Sequence, residues 1–185
     1  MRKNLIVIMI VLIFVMIMTS SCGNQKEDPS IDYAPAVGIS SFNTTDIYGE
    51  VVTQEIFQDY ELTMVNVWGT FCGPCIDEMP SLGEIQKEYQ DKGVNIVGIV
   101  VDVQDGDLNI NPKKIKLAIE IAEMTGADYI HMIVSPELLV AKIGEIDAIP
   151  ASFFVDREGN FVGDTYVGAR DKEAWIDIIE KTLEN

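Results

Sequence analysis

Two stretches, ELTMVNVW (61–68) and VNIVGIVVD (94–102), are apolar and rich in β-branched residues, and each meets a glycine at one end, Gly69 and Gly93. A strand with one solvated face alternates apolar and polar side chains, whereas a run this continuous reads as a strand buried on both faces. Helical periods lie between and after the two runs. Gly73 to about Tyr89 places Met79, Leu82, Ile85 and Tyr89 on one stripe, with Pro80 inside it predicting a kink. Asn111-Pro112 reads as an N-cap followed by Pro at the first helical position, and Gly126 as the C-terminal stop. HMIVS (131–135) is a short strand-like run, and Ser135-Pro136 caps a helix that stops near Gly144. ASFFVD (151–156), the REGN turn and FVGDTYVG (161–168) form a hairpin, and Asp171 opens a last helix with Trp175, Ile178, Ile179 and Leu183 inward. Upstream, Phe42–Thr44 and Glu50–Thr53 flank TDIYG as an opening hairpin. The order predicts an α/β fold, a central mixed β-sheet flanked by helices on both faces.

The N-terminus has a different grammar. Arg2 and Lys3 precede LIVIMIVLIFVMIM (5–18), and Thr19, Ser20, Ser21 and Cys22 follow. Basic, then apolar, then small residues make an export signal. Fourteen residues in a helix span about 21 Å, short of the roughly 30 Å hydrocarbon core. TSSC resembles a bacterial lipobox, which implies cleavage after residue 21 and lipid modification of Cys22. An uncleaved signal anchor is the other reading, and both place the domain outside the cytoplasmic membrane and tethered to it. GNQKEDPSIDYAPA (23–36) is polar, with two prolines, and reads as a flexible tether. The expected organisation is a signal peptide over 1–21, lipidated Cys22 and tether over 22–37, and a folded domain over 38–185.

Charge narrows the partners. The chain has 13 Lys+Arg against 30 Asp+Glu, a net charge of -17. Nucleic acid is excluded, because phosphate binding needs clustered cations. Docking on anionic lipid through a basic face is excluded for the same reason.

Of three cysteines, Cys72 and Cys75 remain for chemistry if Cys22 carries lipid. Structural zinc wants about four ligands, and here one C-x-x-C knuckle stands with His131 as the sole histidine. No metal and no cofactor are therefore expected. A purely structural disulfide over so short a loop would stabilise little. Redox chemistry fits the placement. Cys72 falls near the N-cap of the helix that follows a buried strand, where free N–H groups and the macrodipole favour a thiolate. Cys75 lies one turn inside and within reach. Gly73 admits a second backbone, and Pro74 stiffens the first turn.

WGTFCGPC resembles the thioredoxin active site. Pro80 matches that family's helix proline, and Ile149-Pro150 before ASFFVD matches its cis-proline. WGTFCGPCIDEMP, the opening hairpin and DREGNFVGDTYVG together resemble the TlpA/ResA-like group of membrane-tethered thiol–disulfide oxidoreductases, over about residues 38–184. The resemblance implies a thioredoxin-like fold with an N-terminal β-hairpin and a central helical insertion, the latter falling at 102–130. It also implies Cys72 as nucleophile, Cys75 as resolving thiol and Glu78 as a proton acceptor, since Asn66 stands where thioredoxin keeps a buried Asp. A partner-facing surface would comprise Trp68, Phe71, Gly73, Pro74, Ile149 and Pro150, with Trp68 supporting the loop by packing. Phe71 departs from the Trp usual at its position. Implied partners are an apocytochrome c, a methionine sulfoxide reductase or another surface protein as substrate, and a CcdA-like membrane protein as electron donor. The Gly-Pro dipeptide resembles that of reducing members.

Two other functions are open on sequence. A peroxiredoxin-like thiol peroxidase usually wants Thr or Ser where Gly69 stands and a proline near Asn66-Val67. A non-catalytic surface lipoprotein would have no use for an intact CGPC with Glu78. Asp105, Asp107, Asn109 and Asn111 alternate like a calcium loop, but Ile110 and Lys116 fall where an EF-hand needs Gly and Glu.

Overall fold

The computed structural model describes residues 37–184. The expected signal peptide, Cys22 and the expected tether up to residue 36 lie outside the described residues. A short hairpin comes first, β1 (Asn43–Thr45) and β2 (Val51–Thr53), paired antiparallel. Next along the chain are β3 (Leu62–Trp68), α1 (Gly73–Tyr89), β4 (Val94–Val100), α2 (Pro112–Thr125), β5 (His131–Ile133) and α3 (Pro136–Ala141). The hairpin of β6 (Ala151–Val155) and β7 (Phe161–Val167) and then α4 (Lys172–Leu183) complete the chain. The main sheet has the order β5-β4-β3-β6-β7, with β3, β4 and β5 parallel and β6 and β7 antiparallel to their neighbours.

The apolar runs sit where their composition requires. Every residue of β3 and β4 is buried. Alternate residues then divide between two cores. Val65, Val67, Val97, Ile99, Phe153 and Val155 pack with Phe42, Phe57 and Leu138 on one face. Met64, Ile96 and Phe154 meet Leu82 and Ile85 of α1 and Trp175 and Ile179 of α4 on the other. The expected helix starts are present as side-chain caps. Asn111 accepts from the backbone N–H of Lys113 and Lys114, Ser135 from Leu138 and Asp171 from Ala174. Gly126 closes α2 at φ 67°, a left-handed position that suits glycine. Helix α1 continues through Pro80, and α3 ends at Ala141, short of Gly144 because a tighter turn over Ile143–Glu145 takes its place.

Tyr166, Ser152, Asn66, Gly98 and His131 are successive cross-strand partners over β7, β6, β3, β4 and β5. Paired residues share a face, so a polar line crosses the sheet beneath α1. Gly98 is its gap. A Cβ there would lie 2.4 Å from His131 Nδ1 and 3.0 Å from Trp68 Nε1. His131 is buried, its Nε2–H donates to the Ala127 carbonyl at 3.0 Å, and burial pushes its pKa down to about 4, so the ring is neutral. It is a structural histidine. Gly98→Ala is expected to destabilise the fold by about 1–3 kcal/mol through overpacking, read as a lower denaturation midpoint with an unchanged slope.

Candidate active site

β3 ends at Trp68 and the chain turns sharply. The Cys72 N–H donates to the Gly69 carbonyl at 3.0 Å, closing a four-residue turn with Thr70 and Phe71 at its centre. Cys72 then takes extended backbone angles and becomes the N-cap of α1, its Sγ accepting from the Cys75 N–H at 3.3 Å. Cys72 and Cys75 form a disulfide, with the sulfurs 1.98 Å apart. Cys75 is fully buried, and Cys72 is 6% exposed. The N-terminus of α1 therefore offers the Cys75 N–H to the outer sulfur and shelters the inner one.

The surroundings sort the sequence-assigned surface into two groups. Phe71 is 69% exposed, and Gly73 and Pro74 are exposed. A Cβ on Gly73 would meet nothing within 4 Å, so its bare backbone faces outward. Ile149 is partly exposed, and its peptide bond to Pro150 is cis. The Phe71 ring and Ile149 both lean on Gly69, where a Cβ would come within 2.9 Å of Phe71 and 3.1 Å of Ile149. Phe71 is thus one wall of an apolar ledge beside the disulfide. Trp68 and Pro150 are buried behind it. Trp68 is fully buried, edge-on to the His131 ring at 5.3 Å, so it supports the turn and cannot touch a partner. Pro150 is buried, and its carbonyl accepts from the Gly168 N–H at 2.8 Å.

Glu78, one turn beyond Cys75, is 3% exposed on the inner side of α1. Its carboxylate accepts three hydrogen bonds. Oε1 takes Asn66 Nδ2 at 2.9 Å, and Oε2 takes the Arg170 N–H at 3.1 Å and Trp175 Nε1 at 3.3 Å. Asn66 is itself held, since the same Nδ2 reaches Ser152 Oγ at 3.1 Å. The Arg170 guanidinium sits over the Tyr166 and Trp175 rings at 5.3 and 5.1 Å, anchored on the Gly168 carbonyl at 2.6 Å. Burial pushes the Glu78 pKa up, and the three donors and Arg170 offset part of that rise. Sequence alone placed Glu78 and Asn66 but not Arg170, Trp175 or Ser152 around them. The one signal was the inward position of Trp175; Arg170 acts partly through its backbone, which no side-chain pattern reports.

The raised pKa has a definite sign in stability. Below 4.5, the group's ordinary value, Glu78 is protonated in both folded and unfolded chains and contributes its full stabilising preference. As pH rises above that value the unfolded chain ionises first, and the contribution is lost through the folded-state pKa. The melting temperature of the wild type minus that of Glu78→Gln is therefore expected to fall as pH is raised from 4 towards neutrality. A flat difference counts against a buried, titrating Glu78.

A sheltered disulfide at a helix N-terminus, backed by a buried acid and flanked by a cis peptide on a five-stranded mixed sheet, defines a thioredoxin-fold thiol–disulfide oxidoreductase. The chain belongs to the AhpC/TSA family, whose model matches residues 36–162. It is similar to the thiol-disulfide oxidoreductase ResA of Bacillus thuringiensis subsp. konkukian, 27% identical over 141 residues that cover 76% of this chain and 74% of the relative. The ResA of Geobacillus kaustophilus is 29% identical over 157 residues, covering 82% of this chain and 79% of that protein. Among solved structures, a thioredoxin-family thiol:disulfide interchange protein of Chlorobium tepidum superposes with a TM-score of 0.65 at 28% identity, over 81% of this chain and 98% of the other. StoA of Bacillus subtilis shares the fold, with a TM-score of 0.57 at 22% identity over 77% of this chain and 98% of its own.

Proposed function

We propose that the protein is an extracytoplasmic reductase of partner-protein disulfides, with Cys72 as nucleophile, Cys75 as resolving thiol and Glu78 as proton acceptor. The observation that carries this reading is the asymmetry of the pair: one sulfur at the helix end, the other buried with an acid behind it. In the reduced enzyme the Cys72 thiolate attacks one sulfur of the partner disulfide and expels the other as thiolate. Cys75 then loses its proton to Glu78 and attacks Cys72 Sγ, which expels the second partner sulfur. The partner leaves as a dithiol, the two electrons having come from the enzyme, which ends as the Cys72–Cys75 disulfide. A CcdA-like membrane protein would restore the dithiol.

The substrate class is a disulfide in an extended, externally exposed segment of another protein, such as an apocytochrome c or a methionine sulfoxide reductase. Such a segment would lie along the Ile149–Pro150 peptide and rest an apolar side chain on the Phe71–Ile149 ledge. Phe71→Ala is expected to weaken partner binding about tenfold while leaving the rate of reaction with a small disulfide unchanged. Cys22 acylation would hold the domain at the outer face of the membrane. A mature N-terminus mass that begins at Cys22 with acyl chains supports that arrangement, and an intact Met1 start supports the signal anchor. The direct test of function is reduction of a protein disulfide by the pre-reduced full chain. Consumption of hydrogen peroxide at a faster rate than disulfide exchange would instead favour the thiol peroxidase.

A further inference from the structure

The turn before Cys72 is pinned by a side-chain network outside the redox pair. Asp102 lies just beyond β4, and its Oδ1 accepts from the Thr70 N–H at 2.8 Å. Its Oδ2 accepts from Thr70 Oγ1 at 2.6 Å and from Lys114 Nζ at 2.7 Å. Lys114 Nζ also donates to Thr70 Oγ1 at 3.0 Å, which closes the ring of contacts. Thr70 is buried, and the Asp102 and Lys114 side chains are 14% and 36% exposed. Burial alone would push the Asp102 carboxyl up, yet the hydrogen bonds from Lys114 and Thr70 outweigh it and hold the pKa below its ordinary value.

Thr70 is the first central residue of the turn that the Cys72 N–H closes on Gly69, so a group that fixes Thr70 fixes where Cys72 Sγ stands. Lys114 also occupies an unfavourable place for a cation, the first turn of α2, which contains no acid. The positive end of the helix dipole opposes a lysine there. A choice that local preference disfavours needs a gain elsewhere, and the bond to the active-site turn supplies one.

We propose that Asp102 and Lys114 are positioning residues for the redox reaction: by locking Thr70 they hold Cys72 Sγ at the N-terminus of α1, within reach of the Cys75 N–H, and so keep it a thiolate in the reduced enzyme. This rests on the reading of Cys72 as nucleophile. It gives the inserted segment between β4 and β5 a role in the chemistry. The action is through geometry. The two charges pair at 2.7 Å, so each is assigned only the task of holding the turn.

The test is the Cys72 thiol pKa in the reduced full-length chain, from the pH dependence of iodoacetamide alkylation at the Cys72 peptide by mass spectrometry. Asp102→Ala and Lys114→Met are each expected to raise it by about one unit, which lowers the thiolate fraction at neutral pH. The double variant should shift no further than the larger single one, and Lys114→Arg should restore most of the wild-type value. Lys114 is partly exposed, so its variants remain folded and informative even if Asp102→Ala does not fold. Opposite shifts in the two single variants, cancelling in the double, would overturn the proposal, because the charges would then act on the sulfur directly. Unmoved pKa values in an enzyme that still reduces disulfides would overturn it while leaving the functional reading intact. A wild-type chain that reduces no disulfide would count against the functional reading, whichever way the pKa moves.

Discussion

Cys75→Ser is expected to stop turnover at the mixed disulfide, a loss on the order of a thousandfold or more. The expectation comes from burial. Cys75 is fully covered, and of the pair Cys72 alone keeps some exposure, 6%. The first attack can still occur, because Cys72 keeps its place at the N-terminus of α1. Release cannot, because a serine hydroxyl at that depth neither ionises nor makes a disulfide. Partner proteins should therefore accumulate as covalent adducts through Cys72, separable on a non-reducing gel and freed by dithiothreitol. Cys72→Ser should yield none. Equal trapping by the two variants would sink the assignment of roles. The same adducts, isolated from the native host and identified, would name the partner.

Glu78→Gln is expected to slow resolution about a hundredfold, the scale typical of removing one proton acceptor. The substitution keeps size and an oxygen for Asn66. It also brings an amide N–H₂ towards the Arg170 N–H and the Trp175 indole N–H, which now both donate to the second carboxylate oxygen. A loss caused only by that mispairing would appear as lower stability with an unchanged pH profile. A loss of proton transfer removes the limb of the rate–pH profile that reports a raised carboxyl pKa. Single-turnover rates over pH 5 to 8 separate the two, and a variant with wild-type rates and profile would refute the role.

The sheet and its helices were legible because their signals are local and strong. Two runs with no polar side to show had to become inner strands, and caps at Asn111, Ser135 and Asp171 stood within a residue of the observed helix starts. The redox pair was legible because its spacing is chemistry in itself. The rest of the site comes from pairing across the sheet and from the last helix. Asn66 is 86 residues from Ser152, and Glu78 is 97 from Trp175. Strand register sets these contacts, and no short window of sequence contains it. Trp68 was grouped with the partner-facing residues but read as packing support for the loop, and as the last residue of an inner strand it does point into the core. The Thr70–Asp102–Lys114 ring was hidden because its contacts join residues 12 to 44 apart in sequence, and Asp102 by itself reads as a strand end.

The arrangement around Glu78 also equips the protein with its own optical reporter. The chain has two tryptophans. Trp175 donates its indole N–H to the Glu78 carboxylate, and Trp68 packs in the same cluster as Cys72 and Cys75. Indole emission shifts with the electric field along the ring and dims beside a disulfide. Intrinsic fluorescence should therefore register the proton state of the acid from one ring and the oxidation state of the sulfurs from the other. Substituting either ring by phenylalanine would separate the two signals, so that stopped-flow traces could time electron and proton movement within one turnover without a dye.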